Sequence, residues 1–238
     1  MTRADPVVFV RGLAAAAAAQ PDIVGAGRYH YVRTRGWYLN SSQLLVGEQL
    51  RHLHSKLEEA DRELWLAEDG SGRIEELGEF GRSSTSGYYG RRELAFPGAL
   101  QLHGGSFGAE HRRRGRSPFR LLADLWSSRV VTSDLQAALL EALAGEAEVA
   151  TVSPHTDRLG RSGIAITVEE ARWGSTTGRY VVVLSEATGA LLAAEDVALE
   201  PADWLPDEPP CTTSYTAFVS SGLVNDREAR PAAPYWTR

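Results

Sequence analysis

The chain has 238 residues, with 31 acidic and 25 basic side chains, a net charge of −6 and 43% apolar residues. Ordinary apolar content and small net charge exclude a wholly disordered chain. The length suits one large domain or two small ones. The longest uncharged apolar stretch near either end, Gly12 to Pro21, falls short of the ~20 residues a spanning helix needs, so a soluble globular domain is expected. An acidic balance argues against non-specific nucleic-acid binding, and no nucleic-acid partner is expected. Cys211 is the only cysteine, which excludes an intramolecular disulfide and a Cys-rich zinc centre. Lys56 is the only lysine among the 25 basic residues. With alanine also abundant, that bias reads as genome composition.

The N-terminus holds Val7-Val8-Phe9-Val10, Leu13 and an alanine run from Ala14 to Ala19. Arg11 breaks the apolar run, and Asp5 stands where a signal peptide needs positive charge. A helix from about residue 5 to 20 is predicted instead. Asp5 caps it, Pro6 occupies its first turn and Pro21 ends it. Val10, Leu13 and Ala17 form its core stripe.

Residues 28–80 read as a β-meander. From Arg28 to Leu39 apolar and polar residues alternate, with Tyr29, Tyr31, Trp37 and Leu39 on one parity. Residues 44–57 fit either a helix, through Val46, Leu50, Leu53 and Leu57, or a second long strand. Arg62 to Leu66 is a strand, Glu68-Asp69-Gly70-Ser71-Gly72 a turn, and Arg73 to Phe80 the return strand. Residues 81–116 read as an irregular, arginine-rich surface excursion.

Residues 117–145 read as a pair of helices. Ser117-Pro118 opens the first, striped by Leu121, Leu122, Leu125 and Trp126. Ser133-x-x-Gln136 gives the second a capping-box form. Leu135, Leu139, Leu140 and Leu143 form its buried face, and Gly145 lies near its end. Residues 148–224 return to strands: 148–153, then Ile164, Ile166 and Val168, then Arg179 to Ser185, Ala190 to Ala198, and Ser214 to Val219. A proline- and acid-rich loop spans Pro201 to Pro210. The polar tail from 225 to 238 is expected to fray. The fold class is therefore α+β, a curved, half-barrel-like antiparallel sheet with helices on its concave face.

A resemblance is carried by Gly27 to Tyr38 (GRYHYVRTRGWY), Trp65 to Arg73 (WLAEDGSGR) and Leu135 to Ala144. Thr156 to Ala165 (TDRLGRSGIA), Ala187 to Leu192, Ser214 to Ala217 and Ser221 to Val224 extend it. In order and spacing these segments, covering about residues 10 to 226, resemble a family of uncharacterised actinobacterial extracytoplasmic domains. Its members are carried by membrane-anchored proteins and are often encoded beside extracytoplasmic-function sigma factors. The resemblance implies a short cytoplasmic segment and one membrane helix upstream, and no established activity. By fold analogy alone, such a sheet is similar to the lipoprotein-carrier half-barrel, which does not fix function. The arginine-rich stretch at 103–116 departs from the family pattern.

Four groups of residues are candidates for function. Gly104-Gly105-Ser106-Phe107-Gly108 has the G-x-S-x-G form of a nucleophile elbow, but it lacks a strong preceding strand and a following helix. A flexible glycine loop is the plainer reading of Ser106. His52 and His54 share a face if their segment is a strand, where Glu58 and Glu59 add carboxylates; solvated polar residues are the alternative. His155 and Asp157 read as a turn pair. Arg112, Arg113, Arg114 and Arg116 form a cationic run suited to anionic headgroups or an acidic partner, or simply a solvated loop.

The aromatic set Tyr29, Tyr31, Trp37 and Trp65 is the candidate for ligand binding. Facing the concavity, it would line a groove for an apolar chain or peptide; otherwise it is core beneath the helices. Arg33 and Arg35 interrupt the same parity. The expected function is a non-catalytic extracytoplasmic sensor or interaction domain without a cofactor. Its partner is a protein, a hydrophobic ligand or a membrane surface. A hydrophobic-ligand carrier and a cofactor-free serine hydrolase are the alternatives.

Overall fold

The computed structural model describes residues 5–21, 26–46, 49–77, 84–91, 93–94, 118–145, 151–171 and 177–231. Helix α1 spans Pro6–Ala18, and the Asp5 carboxylate caps it by accepting a 2.9 Å hydrogen bond from the Val7 N–H. Val10, Leu13, Ala14 and Ala17 are buried along one stripe, as the spacing predicts.

Four strands follow: β1 (Tyr29–Val46), β2 (Gln49–Ala67), β3 (Gly72–Leu77) and β4 (Ser84–Tyr89). The described residues of the ambiguous segment 44–57 are strand. Pairing from Leu39↔Leu57 to Val46↔Gln49 satisfies its backbone groups along a ladder that overrides the helical leucine spacing. A bulge at Ser42/Gln43 absorbs the irregular register. Strand β4 corrects the expectation that the excursion is irregular from residue 81. Its polar sequence carries little apolar alternation, and antiparallel pairing with β3, from Gly72↔Tyr89 to Leu77↔Ser84, supplies its order.

Helix α2 spans Pro118–Trp126 and α3 spans Ser133–Ala144. Leu121, Leu122, Leu125 and Trp126 are buried. The expected Ser133–Gln136 box does not cap α3. Thr132 is extended at φ −72°, ψ 161°, and its hydroxyl accepts from the Leu135 N–H. Gln136 instead donates from Nε2 to the Thr188 carbonyl at 2.7 Å, tying the helix to a hairpin turn.

Strands β5 (Thr151–Thr156), β6 (Ser162–Ala171), β7 (Thr177–Leu184), β8 (Leu191–Ala198) and β9 (Cys211–Val224) complete the sheet. The order is β4-β3-β2-β1-β9-β8-β7-β6-β5, with every ladder antiparallel. Strand β1 pairs with β9 and so joins the N-terminal meander to the C-terminal one. The sheet is open and curled, with segregated helices, in keeping with an α+β class. The loops at 67–71 and 157–161 share one design. In each, a glycine at positive φ, Gly70 at 74° or Gly160 at 80°, completes the turn between paired strands.

The two faces of the sheet differ. On the helix face, α1, α2 and α3 pack against Ile166, Val168, Tyr180, Val182, Leu184, Leu191, Ala194 and Phe218. Arg120 of α2 pins this contact: its guanidinium pairs with Glu170 and Asp196 and lies 4.3 Å from the centre of the Tyr180 ring. On the far face, Ala165, Val181, Val183, Leu192, Ala193, Tyr215 and Ala217 form a second, thinner apolar layer. Among the described residues, no helix is long and apolar enough to cross a membrane.

Candidate functional site

Strand parity puts Tyr29, Tyr31 and Trp37 on one face of β1, with Trp65 opposite Tyr31 on β2. That face is the far face, because Trp37 also pairs with Tyr215 and shares its apolar layer. None of the four lies under the helices. The helix-side residues of β1 are His30 and Val32, and the His30 Nδ1 accepts from the Val130 N–H at 3.2 Å.

Tyr29, Tyr31 and Trp65 form one buried cluster with Ala67 and Val224. Tyr31 meets Trp65 edge-on at 5.2 Å between ring centres. The Arg73 guanidinium stands 4.8 Å from the Trp65 ring centre. The Tyr31 hydroxyl donates to Glu63 at 2.7 Å, and burial together with that carboxylate raises its pKa above the ordinary phenol value. Trp37 is half-buried farther along the strand, beside Tyr215. Arg158 lies over both rings at 5.2 and 5.3 Å, and its charge is met by Glu195 at 3.6 Å. Between the two clusters, Arg33 is paired with Asp61 at 2.7 Å. The four aromatics are thus three plus one, divided by the arginine that interrupts their parity.

Residues 226–231 cover the first cluster, which corrects the expectation that the tail frays directly after Val224. Asp226 accepts from the N–H groups of Glu228 and Ala229, both at 2.8 Å, and turns the chain back over the sheet. The Ala229 carbonyl then accepts from the Trp65 indole at 2.7 Å. Arg230 donates to Glu63 at 2.9 Å, and Arg73 donates to the Arg227 carbonyl at 3.2 Å and to Glu228. Tyr88 also donates to Glu228. Burial alone would raise the Glu63 carboxyl. The Arg230 and Tyr31 donors outweigh it and hold the group below its usual range. Sequence reasoning missed this strap, although Asp226-Arg227-Glu228-Ala229-Arg230 carries both its turn residue and its charges.

A second feature is the arm formed by the outer parts of β1 and β2. Strand β9 pairs with β1 only as far as Tyr38, and β3 pairs with β2 only as far as Asp61. Beyond those points, and among the described residues, the two strands have only each other in the ladder. Leu44, Leu53 and Leu57 are 52%, 58% and 43% exposed, and Tyr38 is exposed as well. Ser55 links the arm to the Trp204 carbonyl.

The histidines of the arm do not share a face. The bulge adds a residue at Leu53, so His52 sits by Ser41 and Ser55 while His54 sits by Ser42. This overturns the shared-face geometry expected for a strand. Among the described residues, no group of three His, Cys, Asp or Glu side chains could hold a metal. Asp157 organises its turn by accepting from the N–H groups of Leu159 and Arg161, both at 2.9 Å. His155 points instead to Glu195, 3.8 Å away. Ser106 and Arg112, Arg113, Arg114 and Arg116 lie outside the described residues.

A cleft of about 440 Å³ opens beside the first strands, lined in part by Arg28, His30, Glu68 and Asp69. Burial, reinforced by Arg129, lowers the His30 pKa to about 4, so its ring is neutral at pH 7. With Nδ1 accepting from Val130, the proton resides on Nε2. Comparison with family models, with curated proteins and with solved structures finds no match for the chain.

Proposed function

We propose that the chain is a non-catalytic interaction domain. In the setting implied by its family resemblance, it works outside the membrane in sigma-factor or envelope signalling. The observation that carries this reading is the β1–β2 arm. Three of the seven large exposed apolar side chains among the described residues, Leu44, Leu53 and Leu57, lie on this two-stranded ribbon, and a fourth, Tyr38, stands at its base where β9 still pairs with β1. Such a ribbon gains little from burying its own side chains, and by register it leaves apolar side chains exposed on both faces, Leu44 on one and Leu57 on the other, for contact with a partner. The arm is the contact element and the nine-stranded sheet is the rigid body that presents it.

The packed helix face favours this reading over a hydrophobic-ligand carrier. A carrier needs a hollow, whereas α1, α2 and α3 fill the space above β6 to β9 with Val10, Leu13, Phe119, Leu122, Leu140 and Leu143, all almost fully buried. In this proposal the helices occupy the concave side of the curl. Native mass spectrometry of the chain purified from its host tests the choice. The bare polypeptide mass is expected. A stoichiometric lipid adduct that survives purification would favour the carrier.

A further inference from the structure

We propose that the far-face groove beneath the strap is a peptide-binding site. It takes, in trans, an extended segment with two arginines three residues apart and an acidic residue after the first. The chain's own residues 227–230 are its internal occupant. Every strap position from 227 to 230 meets the sheet, with Tyr88 and Trp65 each serving two of them. The Arg227 guanidinium lies 5.1 Å from the Tyr88 ring centre. The Glu228 carboxylate accepts from Arg73 and Tyr88. The Ala229 carbonyl accepts from Trp65. The Arg230 guanidinium lies 5.4 Å from the Trp65 ring centre and pairs with Glu63. Aromatic faces and a carboxylate recognise the two cations, and the indole N–H reads the backbone between them.

Two observations mark the strap as a replaceable occupant. Among the described residues, no backbone–backbone hydrogen bond ties 226–231 to the sheet, so side chains and two carbonyls, those of Arg227 and Ala229, hold it. The outer latch is solvent-exposed, with Glu228 and Arg230 side chains 63% and 51% accessible, and exposed ion pairs hold weakly. With the strap seated, the groove floor is buried, and Arg73 is also held from within the sheet by Glu75. Trp65 is fully buried, Arg73 is nine-tenths buried, and the Arg73 Nε has no hydrogen-bond partner under the strap. The internal segment therefore leaves one buried donor unmet, which a differently placed acceptor on an external segment can satisfy.

The test uses the full chain with a loosened strap, Arg227→Ser plus Arg230→Ser, and the peptide Asp-Arg-Glu-Ala-Arg-Pro as probe. The Trp65 indole 1H–15N cross-peak, assigned with Trp65→Phe, reports the groove. Saturable movement of that peak is expected in the loosened chain. It should be at least about tenfold weaker in the unaltered chain, whose tethered occupant competes at high effective concentration. Adding Glu63→Gln, or replacing both peptide arginines by lysine, should weaken it again. A stationary Trp65 peak at millimolar peptide, in a loosened chain with a dispersed spectrum, overturns the proposal. If the double variant loses dispersion, the single variant Arg230→Gln carries the same test with the same two outcomes.

Discussion

Trp65 and Trp37 share a face of adjoining strands, yet one is sealed and the other is not. Trp65 is enclosed by Tyr31, Arg73 and the Ala229 carbonyl, whereas Trp37 is half-buried under Arg158. Trp65→Ala should therefore cost about 3–5 kcal/mol and Trp37→Ala about half of that, as read by urea unfolding. Equal costs would contradict this division. Strand parity in the sequence put Tyr29, Tyr31 and Trp37 on one face of β1 but could not say which face that was, nor that Trp65 of β2 joins them. The burying partners come from segments far along the chain, Ala229 for one tryptophan and Arg158 for the other.

His30 gives a prediction in pH. Its folded-state pKa of about 4 lies below the ordinary histidine value, so the unfolded chain binds the extra proton first. Its contribution to stability is complete above about pH 6.5 and is lost as the pH falls toward 4. Unfolding midpoints in urea should drop across that window. His30→Asn should flatten the drop, and an unchanged slope in the variant would refute the assignment. Nothing in the alternation of β1 distinguishes His30 from a solvated histidine. Its environment is made by Val130, a hundred residues away.

At the scale of elements, locally encoded features were legible and pairing-dependent ones were not. The Asp5 cap, the Pro6 start and the Gly70 and Gly160 turns act within a few residues, and all are present. The outer halves of β1 and β2, strand β4 and the shift of the α3 cap to Thr132 depend on partners elsewhere. The docking of α2 likewise rests on Arg120, a residue that sequence alone would assign to solvent. Its carboxylate partners, Glu170 and Asp196, are mostly buried. Arg120→Met removes the cation shared by both carboxylates and should cost about 3 kcal/mol. Thermal unfolding followed by circular dichroism reads that loss, and a change below about 0.5 kcal/mol, the range of ordinary surface substitutions, would contradict the latch.

At the scale of the molecule, two meanders share one sheet through the β1–β9 ladder and are finished differently. Helices complete the C-terminal half on one face, and the strap completes the N-terminal half on the other. Two such meanders and a helical pair were legible from the order of strands and turns. The strap and the two-stranded reach of the arm were not, because neither is a local property. The arm is the part that neither the helices nor the strap covers, and it is the contact element of the proposed interaction domain. The most direct measurement places a photo-crosslinking residue at Leu53 or Leu57 in the native host, with Val8 and Leu159 as exposed controls. A discrete protein adduct is predicted from the arm positions alone, abolished by Leu44→Asp with the folded state unchanged. Equal labelling from all four positions, or adducts from the controls only, would contradict the account.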